Sequence, residues 1–76
     1  MIKELDSVVL TRSIPEHGLE EGDVGAVVHR YSGGEGFEVE FVSASGETVV
    51  VLTLTRADLR PMSGREILHV RRLASL

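Results

Sequence analysis

The sequence has no cysteine and no tryptophan, and only three aromatic residues: Tyr31, Phe37 and Phe41. Without cysteine the chain has no disulfide framework, no thiolate zinc site and no thiol nucleophile. No apolar run approaches the about 18 residues of a membrane-spanning helix, and no apolar core of a signal peptide is found near the N-terminus. We therefore expect a soluble cytoplasmic protein that does not associate with membranes.

Length and charge restrict the function classes further. The 76 residues allow one domain with a small core, because a chain of this size buries only about 60% of its unfolded surface. Twelve acidic and eight basic residues give a formal charge of −4. This charge repels phosphate backbones, and the phenylalanines alternate with glutamates instead of forming a stacking surface, so nucleic acid is an unfavoured partner.

Alternating apolar residues separated by turn residues predict five short strands, at 6–13, 24–31, 37–42, 47–54 and 59–62, with one helical turn at 55–58. Gly25 predicts a bulge or a close backbone approach in the second strand. The apolar run at 47–54 is too continuous for a water-facing edge and predicts a central or covered strand. Five short strands with tight connections indicate a small, strongly bent barrel over residues 1–62, whose closure would remove exposed edges.

Residues 63–76 form a C-terminal extension of different character. Ser63 and Glu66 fit a capping box, and the apolar residues after them predict a short amphipathic helix through about Ala74, or else an irregular tail. Eleven acidic and five basic residues through Met62 give −6, whereas one acidic and three basic residues from Ser63 onward give +2. The tail could therefore dock on its own acidic barrel or on another copy, which would give a homo-oligomer.

Five short motifs occur in a fixed order: PEHGL (15–19), GDVGAVV (22–28), EVEF (38–41), LTL (52–54) and DLRP (58–61). Together they resemble a family of small bacterial proteins of unknown function, over about Leu5 to Met62. The resemblance implies an all-β fold, a small SH3-like, five-stranded barrel, and a bacterial source. It carries no catalytic residue, and the tail lies outside it.

The loop around His17 is the best candidate for chemistry. His17 with Glu20, Glu21 and Asp23 could bind a divalent metal. The alternative is a solvated loop shaped by its proline and glycines, which we favour because no metal-ligand spacing such as His-x-x-x-His occurs. Glu38 and Glu40 share a strand face, but no cleft for acid–base catalysis is evident. We predict no metal, no cofactor and no enzymatic activity.

Apolar residues outnumber the positions in so small a core, which predicts an interaction surface. The function we predict is a non-enzymatic protein–protein interaction module, as a small subunit or a neutralising partner of a larger basic protein. The residues predicted to contact the partner are Glu16, His17, Leu19, Glu20, Glu21 and Tyr31. The alternative function is a ligand- or metal-binding regulatory domain centred on the His17 loop.

Overall fold

A computed structural model describes residues 2–73 as one five-stranded antiparallel sheet. The strands are β1 (Ser7–Leu10), β2 (Val24–Arg30), β3 (Gly36–Val42), β4 (Thr48–Thr55) and β5 (Leu59–Pro61), with 3-10 turns at Pro15–His17 and Arg56–Asp58. The strand order is β4-β3-β2-β1-β5. The all-β, five-stranded prediction is confirmed, but the predicted closure is absent: the sheet is open, with β4 and β5 at its edges in the described part of the chain. Within residues 2–73 no helix is long and apolar enough to cross a membrane.

The core lies on one face of the sheet, formed by one set of alternating side chains on each strand. The buried residues of this face are Val8, Leu10, Val27, Phe37, Val39, Phe41, Leu54 and Leu59, joined by Ile2, Ile14 and Leu19 from the loops. On β3 the alternation is as the sequence predicts, with Glu38 and Glu40 on the opposite, half-buried face. Short turns join β2 to β3 and β3 to β4.

Gly25 makes the close approach that the sequence allowed. A Cβ atom there would lie 2.7 Å from Val39 Cγ1 and 2.9 Å from Phe41 Cε1. The irregularity in the β2–β3 pairing lies farther along, between Val27 and His29. The glycine therefore brings β2 down onto the core, and the bulge after Val27 adds the bend.

The predicted central position of residues 47–54 is wrong, because β4 pairs only with β3 and ends the sheet. Leu54 alone of this strand is fully buried, and Val49 and Val51 are exposed on the outer face. An uninterrupted apolar run in the sequence does not show whether the strand is covered on both faces or lies at an edge with one face exposed.

The chain after β5 is irregular up to Leu73, so the helical prediction is wrong and the irregular alternative is what the structure shows. Glu66 does accept the Ser63 N–H at 2.7 Å, but both its oxygens also pair with Arg60 of β5, at 2.7 and 2.8 Å. This ion pair holds the turn against the sheet, and no helix follows. We call residues 66–73 the strap; the end of the predicted helix, Ala74, lies outside the described residues.

Candidate functional site

The acidic loop between β1 and β2 is folded onto the body of the protein by two apolar anchors. Ile14 and Leu19 form an isolated antiparallel bridge, with backbone hydrogen bonds of 2.9 and 3.1 Å, and both side chains are buried in the core. Between them Pro15 starts the 3-10 turn, and Gly18 ends it in the left-handed conformation, with φ of 70°. The acidic side chains of the loop consequently remain outside.

The second half of the loop is a tight turn built around Asp23. The Asp23 carboxylate accepts the Glu20 N–H at 2.8 Å, and Ser13 Oγ accepts the Glu21 N–H at 2.9 Å. The bond from the Glu20 N–H fixes the Asp23 carboxylate within the turn, whereas the Glu20 side chain is 64% exposed. The turn therefore presents three acceptor groups at the start of β2: the Gly18 carbonyl and the carboxylates of Glu20 and Asp23.

Arg71 of the strap binds to these acceptor groups. Its Nε donates to one Asp23 oxygen at 2.9 Å, and its Nη2 donates to the other at 2.5 Å. Nη2 also donates to the Gly18 carbonyl at 3.0 Å, and Nη1 lies 3.6 Å from Glu20 Oε2. A planar guanidinium satisfies such a paired set of acceptors, whereas a point-like ammonium does not. We call the Gly18 carbonyl and the Glu20 and Asp23 carboxylates the arginine pocket.

The electrostatics of the pocket agree with its geometry. Burial of Asp23 opposes its ionisation and by itself would raise its pKa. The hydrogen bonds from Arg71 and the Glu20 N–H and the positive charge of Arg71 outweigh this effect, so that the pKa of Asp23 lies below its usual value. The hydrogen bond to Asp23 raises the pKa of Arg71. Both groups therefore stay charged at neutral pH.

An apolar groove of about 790 Å³ adjoins the arginine pocket, between the strap and the sheet. Its sheet side includes Val9, Val24, Phe41, Val42, Ala44 and Val49, and its strap side includes Ile67, Leu68, Val70 and Leu73. Ile67 and Val70 remain 94% and 86% exposed. The strap is thus held at Glu66 and Arg71, and it crosses the groove without filling it.

The structure brings some of the predicted partner residues together and separates others. Glu16, His17, Glu20 and Glu21 are exposed on the loop, whereas Leu19 is buried in the core and lines the groove. Tyr31 does not lie beside the acidic loop as predicted. It follows the far end of β2, about 20 Å away by strand length.

Tyr31 instead belongs to a polar cluster on the outer face of the sheet. Its hydroxyl donates to Glu38 at 2.5 Å, its ring packs edge-on against His29 with centroids 4.7 Å apart, and Thr53 also donates to Glu38 at 2.7 Å. Hydrogen bonds from Tyr31 and Thr53 lower the pKa of Glu38. This cluster orders the sheet surface and is separate from the loop site.

No group of three or more histidine and acidic side chains in residues 2–73 is arranged to hold a metal ion. Asp23 and Glu20, two of the candidate ligands, face Arg71. Loop conformation is set by Pro15 and by the left-handed Gly18 and Gly22, in agreement with the solvated-loop alternative. Metal or ligand binding around His17 stays a prediction.

Sequence reasoning missed Arg71, the residue that completes the site. The opposite charges of barrel and tail predicted that the two could meet, but nothing in the local sequence distinguishes Arg71 from Arg72. The partners lie 48 positions apart, so only the fold selects between the two arginines.

A family model described as a domain of unknown function (DUF4926) matches residues 4–61, more than half of the chain. This span contains all five strands and the arginine pocket and ends before the strap. It agrees closely with the segment on which the resemblance to a family of unknown function rested. No curated protein and no solved structure matches the chain.

Proposed function

The chain belongs to the DUF4926 family of domains of unknown function, and we propose that it acts as a non-enzymatic protein-interaction module. In this proposal the arginine pocket and the adjoining groove bind an arginine followed or preceded by apolar residues, on a larger basic protein. The chain would serve as a small subunit or neutralising partner of that protein. The observation that carries the proposal is the seating of Arg71 on Asp23 and Gly18.

The strap serves as a model of the ligand. It joins a guanidinium, which is the group that two parallel carboxylate contacts select, to apolar side chains beside the groove. Because the strap is part of the same chain, it competes at an effective concentration that is of millimolar order for short linkers. A partner segment would therefore have to displace Arg71, or bind while the strap is released.

We also propose that the open sheet is a variant of the SH3-like barrel. Three features support this: the strand order, the antiparallel β1–β5 pairing, and the 3-10 turn Arg56–Asp58 between β4 and β5. A bacterial source and a cytoplasmic location belong to the same proposal, on the resemblance and the absence of cysteine. Loops at one end of such a fold commonly carry its binding surface.

The test uses the full chain with Arg71→Ala, which empties the pocket, and a fluorescent peptide of residues 66–73, EILHVRRL. We expect the variant to bind the peptide at least about tenfold more tightly than the unaltered protein does, in fluorescence anisotropy. Arg72→Ala is the matched control, because it removes one arginine and leaves the pocket occupied. Equal binding by all three proteins would contradict the proposal.

The peptide itself supplies the second control. Replacing its first arginine by alanine should weaken binding to the Arg71→Ala protein by about tenfold, the size of one charge-assisted contact. Reversing the loop charge with Glu20→Lys, Glu21→Lys and Asp23→Lys should abolish capture of a basic partner from lysate. Unchanged capture by that triple variant would rule out the acidic loop as the contact surface.

A further inference from the structure

The outer edge of β4 is unpaired in the described part of the chain, and of this strand only Val49 lines the groove beside the arginine pocket. In the described sheet β4 has a single neighbour, β3, over its whole length. The pairing is regular from Val50 to Thr55 and shifts only near Val42. An edge of this kind leaves alternate backbone N–H and C=O groups available to another strand.

Strand β4 lacks most of the features that normally protect an edge, and its one bulge, at Val49, lies near the beginning of the strand. Its sequence TVVVLTLT contains no charge and no proline, and Val51 is 46% exposed on the outer face. Natural sheets discourage pairing between edges with lysine, proline, inward charges or very short strands. None of these occurs within the eight residues of β4.

The two carboxylates opposite β4 on its neighbour β3 are held on the sheet surface by threonine hydroxyls of β4. Thr53 donates to Glu38 at 2.7 Å, and Thr48 donates to Glu40 at 2.5 Å. A protein with a net charge of −4 repels its own copies. The eight residues of β4 add no charge of their own to that repulsion.

The ends of the strand specify the orientation of a second copy. Glu47 precedes β4 and Arg56 follows it. Antiparallel pairing places each Glu47 near Arg56 of the other copy, whereas parallel pairing would bring like charges together. A two-fold axis perpendicular to the sheet also keeps the outer faces of the two copies on the same side. Valine and threonine side chains of one β4 then lie beside those of the other.

We propose that β4 pairs antiparallel with β4 of a second copy, joining two five-stranded sheets into one ten-stranded sheet. The contact hydrogen-bonds the free edge and covers Val51. A contact of one strand per subunit is smaller than a standard interface of about 1,600 Å². We therefore expect a monomer–dimer equilibrium with a dissociation constant in the micromolar range rather than a permanent dimer.

The test is sedimentation equilibrium of the full chain between about 5 and 500 μM, a range that brackets such an equilibrium. Val51→Lys places a charge on the edge and should weaken the dimer at least tenfold. The same lysine lies opposite Glu40 within the subunit, which preserves the fold. Val28→Lys is the matched control: Val28 is 45% exposed but lies on β2, and this variant should dimerise normally.

Two further measurements keep the outcome decisive. Arg71→Ala should leave the dimer intact, because the proposed contact does not involve the strap. Loss of the dimer would indicate that each strap binds the arginine pocket of the other copy, and it would overturn the proposal. The alternate amide hydrogens of Val50–Thr55 that point away from β3 should gain protection as concentration rises. A monomer at every concentration, or a dimer insensitive to Val51→Lys, would also overturn it. If Val51→Lys fails to fold by circular dichroism, Thr53→Lys, opposite Glu38, replaces it.

Discussion

Replacing Gly25 with alanine tests how closely β2 packs onto the core. The added Cβ would lie 2.7 Å from Val39 Cγ1, and 2.9 and 3.0 Å from two ring atoms of Phe41. Ordinary carbon–carbon contacts are about 3.5 to 4.0 Å. Val39 and Phe41 are both buried in the core, so neither side chain can move away without disturbing its own neighbours.

The magnitude follows from two opposing terms. Overpacking a core by one methyl costs about 1–3 kcal/mol. Alanine recovers about 0.4–1 kcal/mol by restricting the unfolded chain. We therefore expect Gly25→Ala to lower the free energy of unfolding by about 1–2 kcal/mol, which for a domain of this size lowers Tm by at least about 4 °C.

Urea unfolding followed by far-UV circular dichroism measures this change. Gly64→Ala is the matched control, because a Cβ at Gly64 meets no atom within 4 Å, and it should change stability by less than about 0.5 kcal/mol. In the double variant Gly25→Ala/Val39→Ala the contact with Val39 is removed and those with Phe41 remain, so the measured loss should be smaller than the sum of the two single losses by about 1 kcal/mol. A Gly25→Ala protein as stable as the unaltered one would refute the packing argument.

Two further predictions concern charged groups. Asp58 accepts hydrogen bonds from the Thr55 N–H, the Thr55 hydroxyl and Arg12. Asp58→Ala should therefore lower the free energy of unfolding, measured by thermal unfolding, by about 1–2 kcal/mol. A loss below about 0.5 kcal/mol would show that these bonds contribute little. The bonds to Thr55 and Arg12 also lower the pKa of Asp58, so its contribution is present above pH 3.8 and declines as pH falls through the lowered value. Arg60 and the Ser63 N–H lower the pKa of Glu66 to about 2, and an NMR carboxyl titration should show this value returning toward 4.5 in Arg60→Ala; no change would mean that the ion pair is not formed in solution.

Much of the fold could be predicted because its signals are local. Phe37, Val39 and Phe41 alternate with glutamates, and that alternation alone assigns β3 and its inner face. Thr55 and Asp58 predict the last 3-10 turn because both halves of its capping interaction lie within four residues. The span of the family match was likewise foreseeable from the ordered motifs.

Other predictions failed where a contact made by the folded sheet, and not the local pattern, decides the outcome. Glu66 has the spacing of a helix cap, yet Arg60 of β5 binds it and the strap continues without a helix. Tyr31, at the end of its strand, was expected beside the acidic loop, although that loop precedes β2 and Tyr31 follows the other end of the same strand. The apolar run of β4 was read as covered, because no periodicity reports whether a neighbouring strand exists.

The sequence by itself determined the all-β class, the inner face of β3 and the acidic character of the loop, since these depend on side-chain alternation, turn residues and composition. Only the tertiary structure decided that Arg71 is the cation that occupies the loop and that β4 is an edge. Both outcomes depend on contacts between segments far apart along the chain, whose distances are set by the packing of the whole sheet and not by any local pattern.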